Sequence, residues 1–158
     1  MKKILIIVLA ILVIGGVAWA LMLGSNSDDQ PNTAENTERV MPLYAYTWTW
    51  QESRFNGGST TVPQDPSQFT LQFDADAGSF SSTTDCNNVM GNIMTGDGSL
   101  EFSSMAMTKM ACPDGTLEQE YVDTLDVVNG YEIYSEDELT VLSLKQENGE
   151  MIFYGTAR

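Results

Sequence analysis

Tyr46, Trp48 and Trp50 alternate with Thr47, Thr49 and Gln51. No helix can put three large aromatics on one face at a spacing of two, but a strand does so automatically. The same period returns in Phe69, Leu71 and Phe73, so the chain is committed to sheet with an apolar inner face. Asp74–Gly78 punctuates that run, and Ser79–Thr84 reads as the returning strand. Met90–Thr95, the turn Gly96-Asp97-Gly98 and Ser99–Phe102 read as a second hairpin. Tyr131 with Ile133, then Leu139–Leu144, then Met151–Tyr154 make three more strands, and Asn148-Gly149 is a two-residue hairpin signal between the last two.

One segment breaks the period. Leu117, Tyr121, Leu125 and Val128 recur at steps of four, four and three, the stripe of an amphipathic helix over about 117–129. Thr116 and Gln119 have the spacing of a capping box, Glu118 and Glu120 suit the positive end of the helix dipole, and Gly130 is a natural stop. The expected fold class is therefore α+β and β-rich: an antiparallel sheet or small open barrel with one helix packed on it.

Ahead of this body lies a different kind of sequence. Ile4–Leu23 carries no charge and follows Lys2-Lys3. As a helix it would span ~30 Å, the thickness of a bilayer's hydrocarbon core. The lysines favour an inside N-terminus, which puts everything after Leu23 outside. Ala18-Trp19-Ala20 offers a cleavage site for the competing reading as a signal peptide. Three parts are expected: a signal anchor or transmembrane helix at 1–24, a polar linker at 25–43, and a folded domain at 44–158. The expected location is the cell membrane, single-pass with the C-terminal domain outside, or secreted or periplasmic if the segment is cleaved.

Charge and composition then remove whole classes of chemistry. There is no histidine, so Ser-His-Asp, Cys-His and His-rich zinc constellations cannot be built from this chain. After Lys3 there are five basic against 22 acidic residues, a formal −17 that repels phosphate backbones and argues against nucleic acid as a partner. Cys86 and Cys112 are the only cysteines. In an exported domain they read as one structural disulfide, closing a loop whose restraint contributes roughly 3–4 kcal/mol. Redox or metal chemistry is the alternative, although the spacing is not Cys-x-x-Cys and Asp85 beside Cys86 disfavours a reactive thiolate.

Five of nine methionines, Met90, Met94, Met105, Met107 and Met110, fall in one stretch. Thioethers suit Cu(I), yet Met105 and Met107 share one strand parity while Met110 has the other, and core filling is the plainer use. Asp74-Ala75-Asp76-Ala77-Gly78 lacks the further acids of a calcium loop. Gly96-Asp97-Gly98 has no phosphate-loop lysine. Nothing in the spacing of the acids selects a carboxylate pair for hydrolysis.

Thr83-Thr84-Asp85-Cys86-Asn87-Asn88-Val89-Met90-Gly91, then Met105-Ala106-Met107-Thr108-Lys109-Met110-Ala111-Cys112-Pro113, then Glu118-Gln119-Glu120-Tyr121 resembles the META (HslJ-like) domain family. The motif positions are Asp85, Asn87, Thr108, Lys109, Met110, Glu118 and Gln119. Asp85 departs from the glycine common before Cys-Asn, and Asn88-Val89 from a frequent Arg-Phe. The resemblance implies a small β-rich fold with one helix, Cys86 close to Cys112, and an exported or envelope-attached protein, some relatives being associated with stress. It implies no catalytic residue and no cofactor. The expectation is a non-catalytic envelope module that meets an unknown envelope protein or small ligand and meets the membrane through residues 4–23. A carboxylate-dependent hydrolase and a Met-rich copper-handling protein are the alternatives.

Overall fold

The computed structural model describes residues 42–158, and the expected anchor and most of the linker lie outside them. Among the described residues no helix is long and apolar enough to cross a membrane. Pro42 and Leu43, placed by the sequence at the end of the linker, belong to a helical stretch at 42–45, and Leu43 is fully buried.

Nine strands follow: β1 Tyr46–Phe55, β2 Thr60–Thr61, β3 Thr70–Asp74, β4 Ser79–Thr83, β5 Asn88–Thr95, β6 Leu100–Met107, β7 Gly130–Glu136, β8 Leu139–Gln146 and β9 Gly149–Ala157. A 3-10 turn, Pro66–Gln68, precedes β3, and the helix α1, Glu118–Asp126, precedes β7. The strands form one antiparallel sheet in the order β6-β5-β4-β3-β1-β9-β8-β7, with β2 hanging off β1. This is the β-rich α+β class expected, curled into a half-barrel.

The curl buries a sheet face that is apolar along most of its length. Trp48 and Trp50 of β1, Leu71 and Phe73 of β3, Phe80 of β4, Val89 of β5, Leu142 and Leu144 of β8 and Phe153 of β9 are all buried in one cluster. α1 closes the cluster. Tyr121 and Leu125 are fully buried and Val128 nearly so, as the helical stripe requires. The Tyr121 ring lies 5.2 Å from Trp50, 5.3 Å from Phe69 and 6.3 Å from Phe153. Burial pushes its phenol well above the ordinary 10.0, and a 2.9 Å bond to Ser82 Oγ satisfies the hydroxyl and pulls partly the other way.

Several boundaries differ from the sequence reading. β4 stops at Thr83, and β6 runs five residues past Phe102 to Met107. α1 ends at Asp126, four residues before Gly130, and Gly130 opens β7 instead. No capping box forms: Leu117 occupies the N-cap position without a side-chain cap, and Gln119 bonds Asp123 at 2.7 Å one turn along. The last hairpin turns at Glu147-Asn148, since Gln146 pairs with Gly149. Gly149 is needed for a different reason. It lies opposite Phe55, and a Cβ there would sit 2.0 Å from the Arg54 carbonyl oxygen.

The Asp74–Gly78 segment is a turn, as expected. Asp74 Oδ1 accepts from the backbone N–H groups of Asp76 and Ala77, both at 3.0 Å.

Candidate functional site

The loop after β4 turns back at once to start β5. Thr84 N–H donates to the Asn87 carbonyl at 2.9 Å, and Thr84 Oγ1 accepts from Asn87 N at 2.9 Å. This tight turn carries Asp85, Cys86 and Asn87. Two further segments are tied to it.

The first is the stretch after β6. Cys86 and Cys112 form a disulfide with Cα atoms 5.6 Å apart. Asn87 Oδ1 accepts from Thr108 Oγ1 at 2.9 Å and from Met110 N at 2.8 Å. Asn88 N donates to Thr108 Oγ1 at 3.0 Å. The expected disulfide is therefore present, set inside a net of side-chain bonds to backbone.

The second is the start of α1. Glu118 is buried, with 6% exposure. One carboxylate oxygen accepts from Thr84 Oγ1 at 2.6 Å and Asn87 N at 2.7 Å, the other from Asn87 Nδ2 at 3.0 Å. Asp85 reaches the same helix end from outside it, its Oδ2 accepting from Leu117 N at 2.6 Å. Asp85 thus supplies from a distant loop what Thr116 was expected to supply locally. Its other oxygen is buried without a hydrogen-bond partner among the described residues.

Five of the seven motif positions meet here: Asp85, Asn87, Thr108, Met110 (through its backbone) and Glu118. Lys109 and Gln119 are exposed and take no part in the net. Asn87 Nδ2 also donates to both disulfide sulfurs, at 3.4 Å to Cys86 and 3.2 Å to Cys112. One amide therefore touches all three joined segments. Thr84, whose hydroxyl anchors both Asn87 and Glu118, was not among the expected site residues, and its signal is visible only as a hydroxyl three residues before an Asn.

The chemistry of this cluster follows from its bonding. Cys86, Cys112 and Glu118 offer ligand atoms within 4.8 Å of one another. The two sulfurs are spent on each other, so neither is a thiolate that could bind metal or attack a substrate. The Glu118 carboxylate is taken up by the Thr84 hydroxyl and the two Asn87 amide groups. The geometry describes a clasp that holds α1 and the β6 tail onto the β4–β5 turn.

The methionines do not converge. Val89 is buried, and Met107 lies directly opposite it, on the inner parity with Met105, which packs on the core. Met90 and Met94 take the outer face of β5 and are 54% and 61% exposed. Trp48 and Trp50 are core residues with no exposed ring face.

With this clasp in view, a META domain family model matches residues 42–157. The chain belongs to the META domain family. Its fold is similar to that of an NMR structure of a protein from Burkholderia xenovorans, with a TM-score of 0.63 and 22% identity, covering 85% of this chain and 94% of that one. A second NMR structure matches with a TM-score of 0.47 and 19% identity, over 72% of this chain and 92% of the other. No curated protein matches the chain. In this META domain, then, most of the family motif is the clasp itself.

Proposed function

We propose that this META domain is a non-catalytic binding module, tethered outside the cytoplasmic membrane through residues 4–23 and serving the envelope, with stress tolerance as its setting. The observation that supports the reading is the saturation of the motif. Asn87 and Glu118 use their side-chain polar atoms on Thr84, Thr108, Met110 and each other, which leaves them for structure rather than for a substrate. An oxidised cysteine pair agrees with a compartment where disulfides persist. The strong acidity, −15 over the chain, fits a soluble head held away from anionic lipid.

The test is fractionation of cells expressing the full chain with a C-terminal tag. The tag should stay with membranes through an alkaline carbonate wash and be removed by protease added to intact spheroplasts. A tag found in the cytosol, protected from protease, overturns the export. A tag released fully into the medium overturns the anchor.

A further inference from the structure

The half-barrel has one seam, between β6 and β7. Seven antiparallel steps separate these strands along the sheet, so they run in opposite directions. They are joined where both begin: Tyr131 N–H donates to the Gly98 carbonyl, in the turn just before β6, at 3.0 Å. From that link the two strands run apart. β6 continues to where α1 packs against it, whereas β7 meets no further strand on that side among the described residues.

The backbone of β7 says which groups are left over. Because the Tyr131 N–H points across the seam, Tyr131 and Leu144 are a non-hydrogen-bonded pair of the β7–β8 ladder. Two and four residues on, the N–H groups of Ile133 and Ser135 must face outward in the same way. The hairpin at the other end agrees: Glu136 and Leu139 close a two-residue turn and so form a bonded pair, which again leaves Ser135 outward. Among the described residues no strand pairs with this edge. A groove of about 550 Å³ runs beside it, lined by Pro42, Gly98, Tyr131, Glu132 and Ile133.

We propose, building on the binding-module reading, that the outer edge of β7 takes up an extended peptide segment of a partner protein as a tenth strand, and that this segment alternates apolar residues with Lys or Arg. Main-chain bonds to Ile133 and Ser135 supply the attachment, as in other strand-addition sites. The inner parity of β7, Tyr131 and Ile133, is apolar and packs on the core, so the added strand's inner side chains enter the groove. The outer parity presents Glu132, which pairs loosely with Lys145 at 3.7 Å, then Tyr134 and Glu136, and Asp137 and Glu138 follow at once, so acids outnumber the one lysine. Directly opposite acids, cationic side chains are the favoured neighbours and like charges are penalised. The same acids deter a second copy of this chain, whose formal charge is −15.

The experiment uses the purified, oxidised full chain and a fluorescein-labelled amidated hexapeptide of alternating Lys and Val. Saturable binding is expected, read by anisotropy. The block peptide of three Lys followed by three Val should bind at least tenfold more weakly. Ser135→Pro removes an outward donor while leaving the β8 ladder intact, a substitution edges tolerate, and should weaken binding at least tenfold. Glu132→Lys with Glu136→Lys should do the same. Hydrogen exchange on the parent chain gives a readout independent of any variant's folding: the Ile133 and Ser135 amides should exchange freely alone and become protected with peptide. Equal binding of the block peptide overturns the proposal, because charge alone then suffices. Protection of both amides before peptide is added also overturns it, since the edge is then already covered by this chain's own residues or by a second copy. These outcomes are separate from the tether reading, which rests on fractionation.

Discussion

The Glu118 carboxylate accepts from both the backbone and the side-chain amide of Asn87, at 2.7 and 3.0 Å, and so welds the start of α1 to the turn that carries Cys86. Replacing the carboxylate with an amide is the most economical way to test the weld. In Glu118→Gln an NH2 group must face either the Thr84 hydroxyl and Asn87 N–H or the Asn87 Nδ2, all of which donate. A buried donor is then left against donors, and the charge-assisted bonds are lost. The expected cost is about 2–3 kcal/mol. Urea unfolding of parent and variant, with the slope unchanged, measures it. A difference below half a kcal/mol would show that the weld contributes little.

The disulfide is expected to act beside this network. Cys86→Ser with Cys112→Ser should lose roughly 3–4 kcal/mol by loop closure, plus the two bonds that Asn87 Nδ2 gives the sulfurs. The double variant and the parent in reductant should unfold at the same urea concentration. If the two midpoints differ, the serine hydroxyls have rebuilt part of the clasp.

Much of this arrangement was legible because it repeats locally. Trp48 and Trp50 announce the inner face of β1 two residues apart, and Tyr121 and Leu125 announce the helix stripe one turn apart. What was not legible depends on contacts between distant residues. Asp85 caps α1 across 32 positions, so the adjacent Thr116 looked like the cap. β6 continues through Ser104, where φ is +52°, because β6 itself bulges there: Ser104 and Met105 stand opposite the single residue Gly91 of β5, whose missing Cβ admits them. The bulge also shifts the phase, from Leu100 and Phe102 to Met105 and Met107, so in the sequence the alternation stops at Phe102. The motif itself was visible, but its role was not. Asn87 could be read as a site residue until its five side-chain contacts were placed on three separate segments.

A pH effect should come from Glu150. Its carboxyl is held below the ordinary 4.5, first by the bond from Lys145 Nζ at 2.7 Å, then by that from Ser143 Oγ at 2.6 Å. A carboxyl whose folded value is depressed contributes stability above its unfolded value, and loses it as pH falls through the folded one. Lys145→Met should therefore destabilise the domain by a constant amount above about pH 5. The gap between parent and variant should shrink as the pH drops below 4.5. Thermal melts at pH 7, 5, 4 and 3 would show it. A gap that stays constant to pH 3 would mean that Lys145 acts through its packing and not through the pair.

The β7–β8 hairpin offers a gain rather than a loss. Its two turn residues, Asp137 and Glu138, both have positive φ, +46° and +70°, the signature of the mirror-image turn whose twist suits a hairpin. Aspartate tolerates that region through its short polar side chain, whereas Glu138 has no such device. Glu138→Gly should remove the Cβ penalty, offset in part by the greater freedom of glycine in the unfolded chain. A net stabilisation of about 0.5–1 kcal/mol is expected. Gly149→Ala makes the opposite case in the next hairpin. There the added Cβ meets the Arg54 carbonyl oxygen at 2.0 Å, and β1 and β9 must separate to admit it. It should cost 2 kcal/mol or more, roughly the upper range for backbone strain at a single residue. Urea midpoints for the two variants should therefore move to opposite sides of the parent. If both fall below the parent, Glu138 carries no penalty that glycine relieves; if both fall above it, β1 and β9 admit the added Cβ without cost.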